Sequence, residues 1–375
     1  MKKNIILITV NRSDYGIQKK LIKLLSIDKS INFKLVVTGT HLDKKYGYTI
    51  KEINNDKIKV DKKIKNRSSY YNENEVIKII SKNNLEFFNY YKKIKPDLII
   101  VLGDRYELLS AVIPTILLNI PVAHIHGGEK TLGSFDDTIR NMITEVASLH
   151  FTCHDIYKKR VAEIKNSKKN IYNYGSLSVE NIKDYSFESK KYLEKKFQLK
   201  FVKINILITY HPETRNNSNN EENFLQLLKA IKKFKKINFF FTLPSPDPGN
   251  KKIINLIMNF CKINKNCFFV YSFGKKSYFS ILNHIDGVIG NSSSGILEVP
   301  SFKIPTLNIG DRQFGRIQAV SILNCENNHK KIEKNINKIL NKNFKKKIKK
   351  TKNIFYKKHT AKNTISKIKK FINVS

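Results

Sequence analysis

Short apolar runs alternate with amphipathic stretches along most of the chain. The first apolar run, Asn4–Val10, is followed by a polar turn and then by residues 17–26, where apolar side chains recur at helical spacing. Phe33–Thr38 is a second apolar run of the same kind. Strands that are separated by helices in this way pair in parallel, so the pattern predicts βαβ units and an α/β fold.

The same alternation continues through the first half of the chain. Residues 51–75 interrupt it with a polar stretch rich in lysine and asparagine, which predicts a long loop with short pieces of structure. Beyond this stretch the pattern predicts helices over Glu75–Ile94, Leu108–Leu118 and Thr138–Leu149. Strands are predicted over 96–104, 121–129 and His150–Cys153.

A second series begins after a pause at 172–178 and a charged helix pair that follows it. Its predicted strands cover 204–211, 238–244, 266–273, 286–291 and 305–310. Its predicted helices cover Glu222–Phe234, 251–263 and 275–283, and a final helix covers Ala361–Asn373. At 375 residues the chain is long for one domain. We therefore predict two Rossmann-like doubly wound domains that face a cleft, one over 1–175 and the other over 176–355.

Polar clusters follow the predicted strands at their carboxyl ends. In doubly wound sheets, ligands bind just beyond these ends, so the clusters are expected to line the cleft. The clusters are Asn11–Gly16, Gly39–Asp43, Gly103–Arg105, His124–Glu129, His211–Arg215, Pro244–Gly249 and Gly290–Gly295.

The composition adds a large positive charge. The formal net charge is +39, yet only eight of the 70 basic residues are arginine, and the lysines are spread over the whole chain. Nucleic-acid readers depend on arginine for bidentate contacts. We therefore interpret the lysines as a property of the solvated faces and expect no nucleic-acid partner. A basic polyanion-binding protein remains an alternative, with Lys345–Lys358 as its best segment.

The arginines, in contrast, fall where the chain turns. Six of the eight lie in segments marked by glycine, aspartate, histidine or proline. A planar guanidinium in such a segment is suited to holding an anion. The six are Arg12, Arg105, Arg140, Arg215, Arg312 and Arg316. We take Arg12, Arg105, Arg312 and Arg316 as candidate substrate-binding residues.

Several absences bound the setting of the protein. No run of eighteen apolar residues is present, so no membrane-spanning helix is expected. The first apolar run is followed by an arginine–aspartate turn rather than by the small residues of a signal cleavage site. The four cysteines form neither a CxxC pair nor a zinc-like pattern. We expect a cytoplasmic protein with free thiols, no membrane partner and no metal.

The segment GNSSSG at 290–295 has the composition of a phosphate-binding turn. Small residues let backbone N–H groups approach a phosphate, and Ser292, Ser293, Ser294 and Gly295 would supply further donors. A helix N-cap is the structural alternative. Neither a Walker A loop nor GxGxxG is present, so the fingerprints of P-loop NTPases and of dinucleotide oxidoreductases are missing.

Residues after this turn extend the candidate nucleotide site. Glu298 is expected on the first turn of the following helix, where it can accept hydrogen bonds from vicinal ribose hydroxyls or simply complement the helix dipole. Arg312 and Arg316 follow the next predicted strand and can close on a diphosphate. Together these residues predict a cradle for a nucleotide diphosphate.

Candidate acid–base residues are concentrated in the first predicted domain. Two carboxylates across a cleft are what proton transfer needs, although some carboxylates only cap helices or pair with lysine. The candidate carboxylates are Asp104, Glu129, Asp136 and Asp137. Histidine titrates near neutrality, and the candidates are His41, His124, His126 and His211. Of these, we assign His126 to catalysis and His41 and His211 to substrate binding. His124 and His126 alternate along one predicted strand and are expected to share a face; the structural alternative is that one of them is packed in the sheet. No metal is assigned to them.

Taken in order, these motifs resemble one family closely. NRSDYG, TGTHLDKKYG, VLGDRYE, HIHGGEKTLGSFDDTIRNMITE, HPET and GNSSSGILEVPSFKIPTLNIGDRQFGR are similar to the corresponding segments of hydrolysing UDP-N-acetylglucosamine 2-epimerases. The likeness is to the bacterial enzymes of sialic and other nonulosonic acid synthesis and to the epimerase half of the animal bifunctional enzyme. It covers about residues 4–325.

The resemblance implies a glycosyltransferase-B-like fold, with the final helix 361–373 packed back on the first domain. It implies the conversion of UDP-GlcNAc and water to N-acetylmannosamine and UDP, with no cofactor. UDP leaves by anti elimination, and water then adds to a 2-acetamidoglucal. It also implies a homodimer or a homotetramer.

The resemblance also carries roles onto matching positions. The implied catalytic carboxylates are Asp104 and Asp136, with Asp137 beside them. The implied diphosphate contacts are Arg12, His211, Ser292, Ser293 and Arg316, and the implied ribose carboxylate is Glu298.

One position departs from the family pattern. Some relatives have HIEGGE where this chain has HIHGGE, so either His126 or Glu129 takes the acid–base role of the missing glutamate. The departure leaves a second substrate open, a nucleotide-activated 2,4-diacetamido-2,4,6-trideoxyglucose. A glycosyltransferase of the same overall fold is a further enzymatic alternative.

Overall fold

The computed structural model describes residues 2–66, 73–213, 219–244, 247 and 249–373. Its contacts divide the chain into two compact units. Unit 1 comprises Met1–Glu129, Asp136–Asn181 and Phe355–Ser375. Unit 2 comprises Lys130–Phe135 and Ile182–Ile354.

Unit 1 is built on a parallel sheet. Within the described residues its strands are β1 (Lys3–Thr9), β2 (Ile31–Val37), β3 (Lys62–Lys63), β4 (Leu98–Leu102), β5 (Val122–Ile125), β6 (Leu149–Thr152) and β7 (Ile171–Asn173). Their order across the sheet is β3-β2-β1-β4-β5-β6-β7. The central strand β1 is buried on both faces, with Ile5 to Ile8 all 1% exposed or less. A strand buried on both faces is typical of a sheet covered by helices on both sides.

Helices connect these strands. They are α1 (Arg12–Ile27), α2 (Ile50–Asn55), α3 (Glu73–Ile94), α4 (Glu107–Leu117), α5 (Asp136–Val146), α6 (Asp155–Ile164) and α7 (Leu177–Asn181). The first of them begins five residues before the predicted helix because the Asn11 side chain accepts a hydrogen bond from the Asp14 amide and caps it. The last helix of the chain, α15 (Thr360–Phe371), contacts α1 and contributes Ile365 and Ile368 to the core of unit 1.

Unit 2 repeats the architecture with a shorter parallel sheet. The described strands are β8 (Ile204–Thr209), β9 (Ile237–Thr242), β10 (Cys267–Val270), β11 (Gly287–Gly290), β12 (Thr306–Ile309) and β13 (Ile322–Cys325), in the order β10-β9-β8-β11-β12-β13. Ile206 and Ile208 pack into one apolar cluster, whereas Leu207 packs into a second. The two clusters lie on opposite faces of the sheet, as the period of two along a strand requires.

The helices of unit 2 lie between and after these strands. They are α8 (Lys190–Phe197), α9 (Asn220–Ile231), α10 (Asn250–Ile263), α11 (Gly274–Leu282), α12 (Ser293–Leu297), α13 (His329–Leu340) and α14 (Lys342–Lys349). A 3₁₀ helix over Val299–Phe302 follows α12. None of the helices in the described part of the chain combines the length and apolar character needed to cross a bilayer.

Both sheets reverse their strand order at one point. The reversal lies between β1 and β4 in unit 1 and between β8 and β11 in unit 2. At such a point the flanking loops diverge and leave a crevice beyond the carboxyl ends of the strands. The polar clusters at Asn11–Gly16 and Gly103–Arg105 follow the first pair of strands, and those at His211 and Gly290–Gly295 follow the second.

The structure confirms the predicted alternation and changes some boundaries. Each predicted strand is present, and the predicted helices lie within a few residues of observed ones. The strand predicted over 121–129 was too long, because β5 ends at Ile125. Sequence reasoning missed β7, β13 and the helices α6, α13 and α14, and it placed β3 and α2 only as unspecified short pieces of structure within 51–75. Part of the polar stretch 51–75 and part of Pro244–Gly249 lie outside the described residues.

Candidate active site

A sharp corner follows β5 in unit 1. His126 adopts a positive φ of 65°, which ends the strand, and Gly128 follows with a φ of 78°. A Cβ at Gly128 would lie 2.5 Å from the carbonyl oxygen of Tyr157, so only glycine allows this approach. The corner turns the chain back on itself and brings the side chains of His126 and Glu129 together.

The two side chains form a buried pair. His126 Nδ1 lies 2.6 Å from Glu129 Oε1, and the thiol of Cys153 donates to the same oxygen at 3.2 Å. On its other side, His126 Nε2 lies 3.4 Å from Ser176 Oγ. Each of the four residues is less than 9% exposed. The imidazole is therefore held at both nitrogens, with one of them on a carboxylate.

The expectation that His124 and His126 share a strand face was wrong. His126 lies beyond the strand in a left-handed backbone conformation, so the alternation that relates residues of one strand does not reach it. His124 Nε2 lies 2.7 Å from the Gly103 carbonyl oxygen, and its Nδ1 lies 3.1 Å from Thr144 Oγ1. Burial lowers the pKa of His124 to about 4, so it is neutral at neutral pH and acts as a packing group.

Arg140 on α5 joins three of the candidate residues. Its Nη1 donates to the main-chain carbonyl of Glu129 at 2.6 Å and lies 3.4 Å from Asp137 Oδ1, while its Nη2 contacts Asp104. The guanidinium is 1% exposed. Arg160 also donates to the Glu129 carbonyl, at 2.9 Å, and lies 3.3 Å from Asp137. Two cations thus compensate the carboxylates around the corner.

Asp136 begins α5 next to Asp137 and is 8% exposed. The structure therefore places the four candidate carboxylates and one of the candidate histidines in the same part of unit 1: Asp104, His126, Glu129, Asp136 and Asp137 lie at the ends of β4 and β5 or at the start of α5. Their catalytic roles stay a prediction.

A second group of charges lies where β1 and β4 end. Arg105 binds Glu107 through Nε at 3.2 Å and lies over the ring of Tyr106. Asp14, in the first turn of α1, is buried, and burial raises its pKa to about 7, a rise that the nearby Arg105 opposes. Burial lowers the pKa of Arg12, which Glu52 partly offsets.

His41 is buried between two threonine side chains. Its Nε2 lies 3.1 Å from Thr9 Oγ1 and its Nδ1 lies 2.8 Å from Thr49 Oγ1, and it is fully buried. Burial, together with the nearby Arg12, lowers its pKa to about 3. A neutral imidazole with both nitrogens on threonine hydroxyls serves to fix the β1 and β2 loops.

In unit 2, Asn291 ties together two loops at the point where the strand order reverses. Its side-chain Oδ1 accepts from the His211 amide at 2.7 Å, and its Nδ2 donates to the His211 carbonyl at 2.9 Å. Its own carbonyl accepts from Gln313 Nε2 at 2.9 Å and from Arg312 Nη1 at 3.3 Å. The loops after β8, β11 and β12 are therefore held as one platform.

The GNSSSG turn begins α12, with Ser292 as the residue before the helix. Ser292, Ser293 and Ser294 are partly exposed, and Gly295 packs against Thr306, whose hydroxyl donates to the Gly295 carbonyl at 2.9 Å. The helix has only five residues, so its dipole is small. An anion would be bound mainly by hydrogen bonds from the serine hydroxyls and the backbone amides.

The predicted position of Glu298 was wrong. It lies at the C-terminal end of α12, not on a first turn, because the helix already begins at Ser293 within the serine turn. Pro300 has no amide hydrogen to donate to the carbonyl of Ile296, so the α-helical pattern stops there. Glu298 is 5% exposed, and Lys275 on α11 contacts its Oε1.

Arg316 lines a cavity of about 460 Å³ in unit 2, beside Asp311, Phe314, Asn324 and Glu326. The Arg312 guanidinium points instead toward Asn291, with Nη2 4.0 Å from Asp247. Arg215 of the HPETR segment lies outside the described residues.

Sequence reasoning missed several residues that build the site. They are Cys153, Arg160, Ser176, Lys275, Tyr278 and Asn291. Their contacts arise from tertiary packing and have no local signature, although the asparagine stands inside the quoted GNSSSG motif. Among the described residues, one set of histidine, cysteine and carboxylate atoms lies within 4.8 Å of one another, formed by His126, Glu129 and Cys153. These atoms are of the types that bind zinc. Two of the three pairs are hydrogen-bonded to each other: His126 Nδ1 lies 2.6 Å and Cys153 Sγ lies 3.2 Å from Glu129 Oε1.

Comparison with known proteins assigns this arrangement to a family. The family model described as UDP-N-acetylglucosamine 2-epimerase matches residues 23–369. The chain belongs to the UDP-N-acetylglucosamine 2-epimerase family. It is 36% identical to the GDP/UDP-N,N'-diacetylbacillosamine 2-epimerase (hydrolyzing) of Campylobacter jejuni, over 87% of this chain and 85% of that protein. It is 34% identical to the polysialic acid biosynthesis protein P7 of Escherichia coli, over 99% of this chain and 94% of that protein.

A solved structure shows the same fold. The UDP-GlcNAc 2-epimerase of Neisseria meningitidis, bound to UDP-GlcNAc, matches with a TM-score of 0.83 and 18% identity, over 99% of this chain and all of that one. The predicted family and the glycosyltransferase-B-like fold class are confirmed. The chain is an enzyme of the epimerase family, whose members include hydrolysing forms.

Proposed function

We propose that this epimerase converts UDP-N-acetylglucosamine and water to N-acetylmannosamine and UDP, for the synthesis of a sialic acid-type sugar. The likeness to a polysialic acid biosynthesis protein over nearly the whole chain supports this product. The reaction inverts C2 and releases the sugar without its nucleotide.

The observation that carries the proposal is the His126–Glu129 pair, with its separation of 2.6 Å. Elimination breaks the C2–H bond and the C1–O bond, so a base must take a weakly acidic proton while UDP leaves. Hydration of the resulting 2-acetamidoglucal adds hydroxide to C1 and returns a proton to C2 on the other face. A carboxylate that shares a hydrogen bond with an imidazole can pass a proton either way. We therefore assign removal of the C2 proton to the pair rather than to either residue alone. The proton that returns on the other face comes from a different group, for which Asp104 and Asp136 are the candidates.

The remaining carboxylates have separate roles in the proposal. Asp104 and Asp136 act on the reacting sugar from the ends of β4 and α5, and Asp137 with Arg140 holds the corner in place. Arg140 compensates Asp104 and Asp137, and Arg160 also compensates Asp137, within unit 1.

UDP is proposed to bind to unit 2, with His211, Ser292, Ser293, Ser294, Gly295, Arg312 and Arg316 on the diphosphate and Glu298 on the ribose. In unit 1, Arg12 and Arg105 stay candidate substrate-binding residues. Charge builds on UDP as C1–O breaks, so donors fixed in advance lower the barrier. His41 enters the proposal as a residue that fixes the neighbouring loops. No cofactor is required for either step.

Proton NMR in deuterated water tests the reaction. We expect UDP-GlcNAc to give free N-acetylmannosamine with deuterium at C2 and one equivalent of UDP. Deuterium at C2 is diagnostic, because direct hydrolysis of the glycosidic phosphate leaves that hydrogen in place. Release of N-acetylglucosamine with its C2 hydrogen retained would contradict the proposed elimination.

A second substrate is supported by the Campylobacter relative, whose name contains N,N'-diacetylbacillosamine. This sugar is a 2,4-diacetamido-2,4,6-trideoxyglucose, so it differs from GlcNAc at C4 and C6 while the chemistry at C1 and C2 is unchanged. Comparing kcat/KM for the two UDP-sugars at equal enzyme concentration decides between them. A glycosyltransferase would instead release UDP only when an acceptor is present.

We also propose a homodimer or homotetramer that works in the cytoplasm, where its free cysteines would stay reduced. Light scattering after gel filtration measures the assembly. The polyanion-binding alternative predicts nucleic-acid binding that weakens steeply with salt. We expect no such binding near physiological ionic strength.

A further inference from the structure

Two side chains of α11 contact the α12 segment one helical turn apart. The phenol of Tyr278 lies 2.6 Å from Ser294 Oγ, and the ammonium group of Lys275 contacts Glu298 Oε1. Lys275 and Tyr278 are three residues apart on α11, and their partners are four residues apart. Residues with these spacings lie on one face of a helix. One face of α11 therefore reaches both the serine turn and the carboxylate at the other end of α12.

The two contacts lie in a largely buried setting. The side chain of Lys275 is 17% exposed and that of Glu298 is 7% exposed. The Lys275 ammonium also lies over the Phe279 ring, 4.6 Å from its centre, and makes a cation–π contact with it. The Phe279 side chain is itself fully buried. Burial raises the pKa of Tyr278 above its usual value, so its phenol remains a neutral donor. Neither partner is free to adopt many other positions.

We propose that Lys275 and Tyr278 are positioning residues that determine which parts of the nucleotide the site recognises. Lys275 holds Glu298 for the ribose hydroxyls, and Tyr278 holds Ser294 for the diphosphate. The inference rests on the proposed binding of UDP at the α12 segment. It adds two residues of α11 to a site otherwise built from loops at the strand ends.

The chemistry of each contact determines which group donates the hydrogen bond and which accepts it. When an oxyanion approaches Ser294, the serine hydroxyl must donate to it, and the phenol of Tyr278 can then donate to the serine oxygen. At the other contact, the Lys275 ammonium fixes the Glu298 carboxylate, whose oxygens can accept a hydrogen bond from a ribose hydroxyl. It also compensates the carboxylate, which would otherwise repel the negative diphosphate nearby.

The test measures binding of three ligands by calorimetry, without turnover. UDP has both groups, 2',3'-dideoxy-UDP lacks the ribose hydroxyls, and uridine lacks the diphosphate. The wild-type protein is expected to prefer UDP over each analogue by roughly tenfold or more, the scale of charge-assisted hydrogen bonds. Lys275→Met should bring the ratio of UDP to dideoxy-UDP affinity near one and leave the ratio of UDP to uridine largely unchanged. Tyr278→Phe should reduce the second ratio and leave the first.

Two neighbouring substitutions control for loss of charge and of a phenol. Lys276→Met removes an exposed lysine of the same helix, and Tyr271→Phe removes the hydroxyl of a tyrosine that is 66% exposed. Neither is expected to change either ratio. Lys275→Arg should restore much of the ribose discrimination, because a guanidinium can also bind Glu298.

The outcomes separate the inference from the function on which it rests. If Lys275→Met weakens UDP and dideoxy-UDP equally, the lysine acts as a general charge and the inference is overturned. If both ratios fall together in both variants, the two residues serve only the fold. A wild-type protein that does not bind UDP would overturn the proposed function, and the inference with it.

Discussion

Nδ1 of His126 and Oε1 of Glu129 lie 2.6 Å apart in a corner that the sequence presents only as HIHGGE. Two glycines separate the two along the chain, and the turn at Gly128 brings them together. The motif left open whether His126 or Glu129 takes the acid–base role, and their hydrogen bond joins the imidazole and the carboxylate into one unit.

Replacing His126 with asparagine should abolish most turnover while nucleotide binding persists. Asparagine tolerates the left-handed backbone of this position better than most residues, so the corner should still form. Loss of a positioned acid–base group typically lowers kcat by about 10²- to 10⁴-fold. UDP release under saturating substrate measures kcat, and calorimetry with UDP measures binding.

The matched control for this variant is His154→Asn. His154 caps α6 through its ring, and asparagine can accept the same hydrogen bond from the Ile156 amide. We expect its kcat to equal that of the wild type. A His126→Asn enzyme with near-normal kcat would remove the imidazole from the mechanism.

Removing the Arg140 guanidinium should lower the free energy of unfolding by more than removing one exposed charge would. It is 1% exposed and contacts Asp104, Asp137 and the Glu129 carbonyl. Removing one partner of a buried ionic network leaves uncompensated charge and typically costs about 3–5 kcal/mol. Arg140→Met should therefore lower the thermal midpoint by several degrees or leave the protein unfolded.

Arg160→Met offers a comparison within the same network. The Arg160 side chain is 17% exposed, so water can replace part of what it donates. Its destabilisation should be clearly smaller than that of Arg140→Met in parallel thermal melts. Equal midpoints for the two variants would show that the network does not depend on its buried member.

Gly290 is expected to accept no side chain. Its φ is 134°, and a Cβ there would lie 2.0 Å from the Thr209 carbonyl oxygen on the neighbouring strand β8. Gly290→Ala should displace β11 from β8 at the point where the serine turn begins, with loss of both stability and UDP binding. Circular dichroism melts and calorimetry measure the two effects.

Gly274→Ala separates this clash from backbone strain alone. Gly274 also has a positive φ, of 67°, but a Cβ there would have no neighbour within 4 Å. The left-handed conformation alone costs a non-glycine residue about 1–2 kcal/mol. We expect modest destabilisation and normal UDP binding. An equally severe effect at both glycines would mean that strain, and not the clash, dominates.

Local pattern was sufficient for the sheets, because strands buried on both faces read as continuous apolar runs between amphipathic stretches. It also located the polar clusters at the strand ends, where a doubly wound fold places its ligands. The strands β3, β7 and β13 are short and lie at or near the sheet edges, so they give weak signals. β3 and β7 have only two and three residues, which explains why they were not predicted. β13 has four, as many as β12, but it is a half-exposed edge strand and so lacks a continuous apolar run.

The errors have tertiary causes. His126 leaves its strand because Gly128 packs against the backbone of α6. The residues next to Gly128 in the sequence give no signal of this contact. The contacts of Arg140 with Glu129 and Asp104 likewise join segments separated along the chain. The shift of Glu298 had a local signal, since Pro300 follows two residues later and limits the helix.

Asp14 should make the protein less stable as the pH rises from about 4 to 7. Burial raises its folded-state pKa to about 7, against the nearby Arg105, while the unfolded value is 3.8. Over this range the folded state holds a proton that the unfolded state has lost, so stability falls with pH. Asp14→Asn removes this dependence. The variant should gain stability relative to the wild type up to pH 7, by an amount on the order of a few kcal/mol, and the gain should then level off.

Urea unfolding of both proteins between pH 4 and 8 measures this difference. The buried histidines His41, His124 and His150 have folded pKa values of about 3 to 4, so each destabilises the fold as the pH falls below 6.5. They titrate in both proteins and cancel in the comparison. Asp28→Asn is the control of opposite sign, because a hydrogen bond from Ser30 lowers the pKa of Asp28, and its loss should destabilise the protein most at neutral pH. A gap between wild type and Asp14→Asn that is constant with pH would show that Asp14 is ionised in the folded protein throughout.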